Sequence, residues 1–305
     1  MPLKVTILGS SSAIPTSEKH PTAQVLNMPE RFFLIDCGEG TQVQLRKSKV
    51  KLSRINHIFI SHLHGDHYFG LVGLISTLSL LGNKYDIHIY AHDDLKTLIG
   101  GQIEYMKGEM EFAVIYHPLN LKKPQTVYED EKIVVSSFPV LHSIPTCGFL
   151  FREKPKLPHM NKEMIKKYRI PIKAIQPIKE GADFITEEGM IIPNHILTTS
   201  AKPPVSYAFC TDTAYHEPVI EIIKEVDLLY HESTFLNDKK KMAVQTLHST
   251  AEQAATIAKK AGVKKLIIGH FSNRYKTTDA FLTEARAVFP ETYLAEEGNI
   301  FKIDP

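Results

Sequence analysis

The sequence has little cysteine. Cys37, Cys147 and Cys210 are the only three in 305 residues, and no two form a CxxC pair. So few and so scattered, they exclude a disulfide framework and a thiolate zinc site. They read as small buried apolar side chains in a reducing compartment, which points to the cytoplasm. Long apolar runs are also missing: the longest candidate, 70–81, falls short of the ~18 residues that cross a bilayer and is broken by Gly73, Ser76, Thr77 and Ser79. The apolar stretch within MPLKVTILGSSSA is too short for a signal-peptide core. Net charge is nearly absent, since 36 basic residues against 34 acidic leave +2, so bulk charge announces no nucleic-acid partner. With 43% apolar and 23% charged residues the chain can bury a sizeable core, in one or two domains. What it has in excess is histidine, 15 residues.

Short β-branched or apolar runs alternate with helical patterns. Strands are expected at 5–8, 32–36, 57–61, 87–90, 133–140, 148–151, 207–211, 228–231, 266–269 and 300–303. Helical windows fall at 71–81, 95–106, 217–225, 250–261 and 279–289. The clearest helix follows Ser249, which stands at capping-box spacing from Glu252, and ends before Gly262. This alternation predicts an α/β fold with helix-covered sheets. One stretch departs from it: 152–180 holds nine basic residues against three acidic, a local charge of +6, with four prolines and one short helical pattern at 162–168. Such a basic insert in a near-neutral chain is an electrostatic hint of a phosphate-rich partner; a solvated loop is the plain alternative.

The most specific segment is Ser61-His62-Leu63-His64-Gly65-Asp66-His67. His62 and His64 are two apart at a strand end, so an extended backbone turns both to one side. Gly65 permits a tight turn that brings Asp66 and His67 round as a second pair. Imidazole and carboxylate donors suit zinc, manganese or iron, and the lack of thiolates argues against a purely structural zinc. Further candidates end other apolar runs: His142, Asp212, His231 with Glu232, and His270. In α/β proteins side chains at those ends converge on a crevice, so one shared site explains them better than scattered structural residues. His231 points away from Glu232 if the strand persists and reads as structural; His57, His88, His92, His117, His159, His195 and His216 have no constellation.

HLHGDH followed by Tyr68-Phe69-Gly70-Leu71 resembles the metallo-β-lactamase superfamily and, within it, the tRNase Z (ribonuclease Z) family, short form. The likeness runs through 33–42 (FLIDCGEGTQ), 142–149 (HSIPTCGF), 230–235 (YHESTF), 248–255 (HSTAEQAA) and 269–275 (GHFSNRY). The resemblance implies an αββα sandwich spanning 1–305 with a protruding basic exosite arm, an inserted flexible segment at 152–204 that docks tRNA. It implies two Zn2+ per subunit, with Mn2+ or Mg2+ as substitutes: one ion on His62, His64 and His142, the other on Asp66, His67 and His270, with Asp212 bridging. It implies a zinc-dependent endoribonuclease that cleaves the 3′ trailer from precursor tRNA and leaves a 3′-hydroxyl on the tRNA. Asp66 would act as ligand and proton acceptor, and His248, held by Glu232, as proton donor to the leaving oxygen. Ser272 and Arg274 would touch substrate phosphate, and Lys166, Lys167, Arg169 and Lys173 would contact tRNA from the arm. Lys173-Ala174 stand where the family's arm carries Gly-Pro. A cytoplasmic homodimer without membrane contact follows from the same likeness. The alternatives are another superfamily hydrolase, acting on small phosphodiesters or sulfate esters, and a non-catalytic RNA-binding scaffold.

Overall fold

In a computed structural model, which describes residues 3–28 and 30–304, the chain divides into two units, 1–153 with 205–304, and 154–204. The larger unit is built on two seven-stranded sheets. The first runs, edge to edge, Ile300–Ile303, Leu3–Gly9, Ala23–Met28, Arg31–Ile35, Ile55–Phe59, Ile87–Ala91 and Val114–Pro118. Its first four strands pair antiparallel and the rest parallel. The second runs Thr292–Leu294, Leu266–Gly269, Leu228–Glu232, Ser206–Cys210, Cys147–Glu153, Ile133–Pro139 and Gln125–Glu129. Here the first four are parallel and the hairpin-linked remainder antiparallel.

Residue alternation along the strands explains the layering. Phe33, Ile35, Phe59, Phe149, Phe151, Tyr207 and Phe209 meet in one core between the sheets. Their neighbours Leu34, Leu150, Ala208 and Cys210 face outward. Over the first sheet lie helices Thr41–Lys47, Gly70–Leu80 and Asp94–Met106, the last burying Leu95, Ile99 and Ile103 at four-residue spacing. Over the second lie Val219–Ile222, Ala251–Ala261 and Asp279–Arg286. This is the helix-covered αββα sandwich expected from the sequence. All three cysteines are free and buried.

Several local expectations need correction. The capping box of Ala251–Ala261 is Thr250 with Gln253, one residue later than Ser249 and Glu252. Ser249 instead turns inward, its hydroxyl donating to the Thr213 carbonyl at 2.7 Å. The window at 217–225 yields only Val219–Ile222, and 279–289 stops at Arg286. Residues 154–204 carry more than one short helix: Lys162–Lys167 is followed by Ile172–Lys179, then Asn194–Leu197, with Ile170, Ile178, Ile192 and Leu197 buried together. Pro171 and Pro193 stand at the N-caps of two of these helices, where a missing N–H costs nothing.

Candidate metal centre

The strand ends of the larger unit converge as the sequence suggested. The chain leaving Ile55–Phe59 carries His62 and His64, and the short helix Gly65–Tyr68 carries Asp66 and His67. His142 follows Ile133–Pro139, Asp212 follows Ser206–Cys210, and His270 follows Leu266–Gly269. His62, His64, His142 and Asp212 form one donor cluster; Asp66, His67 and His270 form another.

Asp212 faces both. Its Oδ2 lies 3.6 Å from His62 Nε2 and 3.7 Å from His142 Nε2, while Oδ1 lies 3.3 Å from His67 Nε2 and 3.2 Å from His270 Nε2. His64 Nδ1 is 3.1 Å from His62 Nε2 and 3.3 Å from His142 Nε2, and Asp66 Oδ2 is 3.4 Å from His67 Nε2 and 3.6 Å from His270 Nε2. Two donors sharing a tetrahedral ion at ~2.0–2.1 Å are about 3.4 Å apart, so these separations fit common cations. The Nε2 atoms of His67 and His270 are buried with no hydrogen-bond partner. An orphaned buried nitrogen costs roughly 1–3 kcal/mol, which a cation would recover. Nitrogen and carboxylate donors without thiolate fit Zn2+ and its neighbours.

The imidazoles are held from behind. His67 Nδ1–H donates to Asp36 Oδ2 at 2.7 Å, and Asp36 also accepts from Ser61 N at 2.8 Å and Ser61 Oγ at 2.9 Å. His62 Nδ1 lies 3.0 Å from that same Ser61 Oγ. His142 Nδ1–H donates to the Leu247 carbonyl at 3.1 Å, and His270 Nδ1 meets Thr234 Oγ1 at 2.9 Å. These contacts leave the opposite nitrogens facing the clusters. Burial opposes charge throughout, but His270, His67 and His62 hold Asp212 well below the usual carboxylate range. For His62, burial dominates and pushes it well below an ordinary imidazole.

Beside the donors, His248 Nδ1 lies 2.7 Å from Glu232 Oε1. Thr213 N donates to Oε1 at 3.0 Å, and Thr234 N and Oγ1 donate to Oε2 at 2.9 and 2.8 Å. Burial alone would lower His248, yet the Glu232 carboxylate outweighs it and holds the imidazole at about 9. His231 is buried, its Nδ1 on the Glu232 carbonyl at 2.7 Å, outside both clusters. Ser272 is buried and lies 3.5 Å from Arg274 Nη1. Lys166, Lys167, Arg169 and Lys173 belong to the 154–204 unit, where the last three line a cavity of about 820 Å³.

Sequence reasoning passed over Asp36, Ser61, Thr234 and the amide of Ala13, which donates to Asp66 Oδ2 at 2.9 Å. Asp36 ends an apolar run as the donors do, so the same signal could have found it; Ser61 and Thr234 lie inside the quoted motif segments without a role assigned to them, and nothing in the pattern marks Ala13.

The chain is similar to known proteins over nearly its whole length. A family model described as Anti-Pycsar protein Apyc1 matches residues 3–165, and one described as a Beta-lactamase superfamily domain matches 197–271. The chain is 47% identical to a protein of Bacteroides thetaiotaomicron named Ribonuclease Z, over 98% of this chain and 94% of that one. It is 44% identical to a Ribonuclease Z of Porphyromonas gingivalis, over 96% of each. The crystal structure of human tRNase Z, short form, superposes with a TM-score of 0.72 at 28% identity, covering 99% of this chain and 100% of that one.

Proposed function

The chain belongs to the ribonuclease Z family, and from that premise we propose that it is an endoribonuclease removing the 3′ trailer of precursor tRNA. What carries the reading is one arrangement: a carboxylate, Asp212, whose two oxygens each face a separate set of histidines, with the Glu232-backed His248 beside them. His62, His64 and His142 would hold one divalent cation and Asp66, His67 and His270 the other, with Asp212 between. Such a pair, which we assign as Zn2+ with Mn2+ or Mg2+ able to replace it, supplies Lewis acidity, an activated water and a clamp on the phosphoryl oxygens.

The protein's own groups account for the proton traffic. Asp66 Oδ2 already accepts the Ala13 N–H, which aims the carboxylate, and it is the assigned proton acceptor. The departing ribose 3′-oxygen needs a proton. His248 is suited to give it, since Glu232 fixes its Nδ1–H and keeps the ring charged near neutral pH, leaving Nε2 to donate. Glu232 is itself saturated by Thr213 and Thr234, so it orients His248 without competing for its proton. Ser272 and Arg274 are assigned to substrate phosphate, and the 154–204 unit to tRNA docking by charge. A cytoplasmic homodimer completes the reading. The test is incubation with a trailer-bearing precursor tRNA and with a small phosphodiester, mapping the cut to the nucleotide. A single cut that leaves a 3′-hydroxyl on the tRNA, abolished by chelator and restored by zinc, supports the proposal. Turnover of the small phosphodiester alone would refute it.

A further inference from the structure

We propose that the ring of Phe69 is a stacking platform for a nucleobase that flanks the scissile phosphate. The proposal rests on the nuclease reading above and adds to it a residue that is neither metal donor, proton donor nor phosphate contact. Phe69 lines the same cleft, about 440 Å³, as Asp66, Asp212, His248 and His270. It is 59% exposed, whereas the adjacent Tyr68 is 8% exposed. A singly exposed apolar side chain is ordinary; what sets this ring apart is its place in the wall of the ion-binding cleft, where a flat π-face can meet a base.

The ring is fixed. Phe69 N donates to the Gly65 carbonyl at 2.9 Å, closing the short helix that carries Asp66 and His67. One side of the ring is seated on Gly65: a Cβ there would come within 2.2 to 2.7 Å of three ring carbons. Gly65 thus leaves room for the ring in this position, where a Cβ would displace it, and it does so without the positive φ that its place in the motif suggested. The Tyr68 ring meets Phe69 edge-on, with centroids 4.9 Å apart. Because Gly65 joins His64 to Asp66, the platform lies directly over the chain that links the two donor sets. A base one nucleotide from the reacting phosphate is the natural occupant.

Charge on this side of the cleft agrees. Gly70 N donates to the Cys37 carbonyl at 2.9 Å, bringing the 38–40 turn against the residue that follows Phe69. That turn carries Glu39, exposed and lining the same cleft. A carboxylate repels a phosphate but accepts hydrogen bonds from base N–H groups, so this wall favours a base over the backbone of the strand.

The experiment is a double-mutant cycle. Precursor tRNAs with an abasic ribose immediately 5′ or immediately 3′ of the cut are compared with the intact substrate, using wild type, Phe69→Ala, Phe69→Leu and Phe69→Tyr, with zinc content measured for each. Loss of a stacked base costs about 5- to 150-fold, so Phe69→Ala is expected to lower kcat/KM on intact RNA by that much. Phe69→Tyr retains activity. Phe69→Leu, which fills the seat on Gly65 without a π-face, falls with alanine. One of the two abasic substrates slows wild type by a similar factor and slows Phe69→Ala no further. Losses that multiply instead, or a leucine variant equal to wild type, overturn the stacking assignment while wild-type cleavage stands. A wild type that leaves every precursor uncut overturns the nuclease reading, and this assignment with it.

Discussion

Asp36 offers a way to separate folding from metal binding. It is fully buried and accepts three hydrogen bonds, from His67 Nδ1, Ser61 N and Ser61 Oγ. Asp36→Ala leaves the buried Ser61 N–H without an acceptor, at about 1–3 kcal/mol, and removes a charged bond to His67 worth about 1.5–3 kcal/mol. We expect roughly 3–5 kcal/mol of destabilisation, read by urea unfolding of the metal-free protein. Asp36→Asn is the sharper change. In the orientation that still accepts Ser61 N–H, its amide meets the His67 Nδ1–H donor to donor and drives that proton to Nε2, the nitrogen facing Asp212 and Asp66. The asparagine variant should therefore lose less stability than alanine, yet bind one of two zinc equivalents about 10- to 100-fold more weakly in chelator competition. The His62, His64 and His142 cluster should be affected less, because Asp36 reaches it only through Ser61 Oγ, 3.0 Å from His62 Nδ1, while His142 is held by the Leu247 carbonyl. Two zinc ions held with wild-type affinity by Asp36→Asn would refute the claim that Asp36 sets the His67 tautomer.

Four further outcomes follow from the same geometry. Asp212→Ala should abolish cleavage while leaving tRNA affinity largely intact; full activity in a metal-replete variant would remove the bridging role. His248→Ala should slow cleavage of RNA by about 10²- to 10⁴-fold with zinc content unchanged, and should spare a nitrophenyl phosphodiester whose leaving group needs no proton. Because Glu153 N donates to the Val205 carbonyl at 2.9 Å, the ends of the insert lie side by side, and a Gly/Ser linker can replace 154–204. Precursor tRNA binding should then weaken and lose salt dependence while the small diester is still hydrolysed; equal loss on both would make the segment part of the catalytic core. Finally, burial and the facing His88 and His117 lower His57 to about 4. A group depressed from ~6.5 contributes stability that is present above pH ~6.5 and lost as pH falls towards 4, about 2–3 kcal/mol for this partly exposed ring. Denaturation midpoints at pH 7.5 and 4.5 should differ less in His57→Phe than in wild type, and identical shifts would rule the contribution out.

The donors were legible because two constraints coincide at the ends of apolar strands: a regular hydrophobic pattern marks the strand, and a buried titratable residue just past it has no cheap structural reason to be there. His142, Asp212 and His270 each break such a run, and the structure brings all three to His62, His64, Asp66 and His67. The strand at Ala23–Met28 was not legible for the opposite reason. Gln24 and Asn27 interrupt its apolar pattern, yet Gln24 is fully buried, its side-chain oxygen accepting from the Tyr207 hydroxyl. Within 152–180 only 162–168 showed a helical pattern; Ile172–Lys179 went unread because Pro177 lies inside it, although Pro171 stands at its N-cap.

What no pattern could show is the backbone shape that aims the donors. Asp36, Asp212 and His270 lie in the left-handed region, at φ of 55°, 44° and 61°. For a residue with a Cβ that conformation costs roughly 1–2 kcal/mol, and it persists only where surrounding bonds over-determine it. Those bonds are present. Asp36 N donates to the Phe59 carbonyl, the next residue after Asp212 donates its N–H to Glu232, and Phe271 N donates to the Ser10 carbonyl. The first two join the ends of neighbouring strands within a sheet, and the third ties the chain after Leu266–Gly269 to the chain after Leu3–Gly9 in the other sheet. At Asp212 and His270 the strained turn swings a carboxylate or an imidazole out of the strand line and into the crevice, and at Asp36 it sets a carboxylate behind His67; glycine would make the turn freely but supply no such group. Asp and His are among the residues with a Cβ that adopt this conformation most readily, so the site draws its groups from types that tolerate the turn, while the sequence carries no mark of which of them turn and which stay extended.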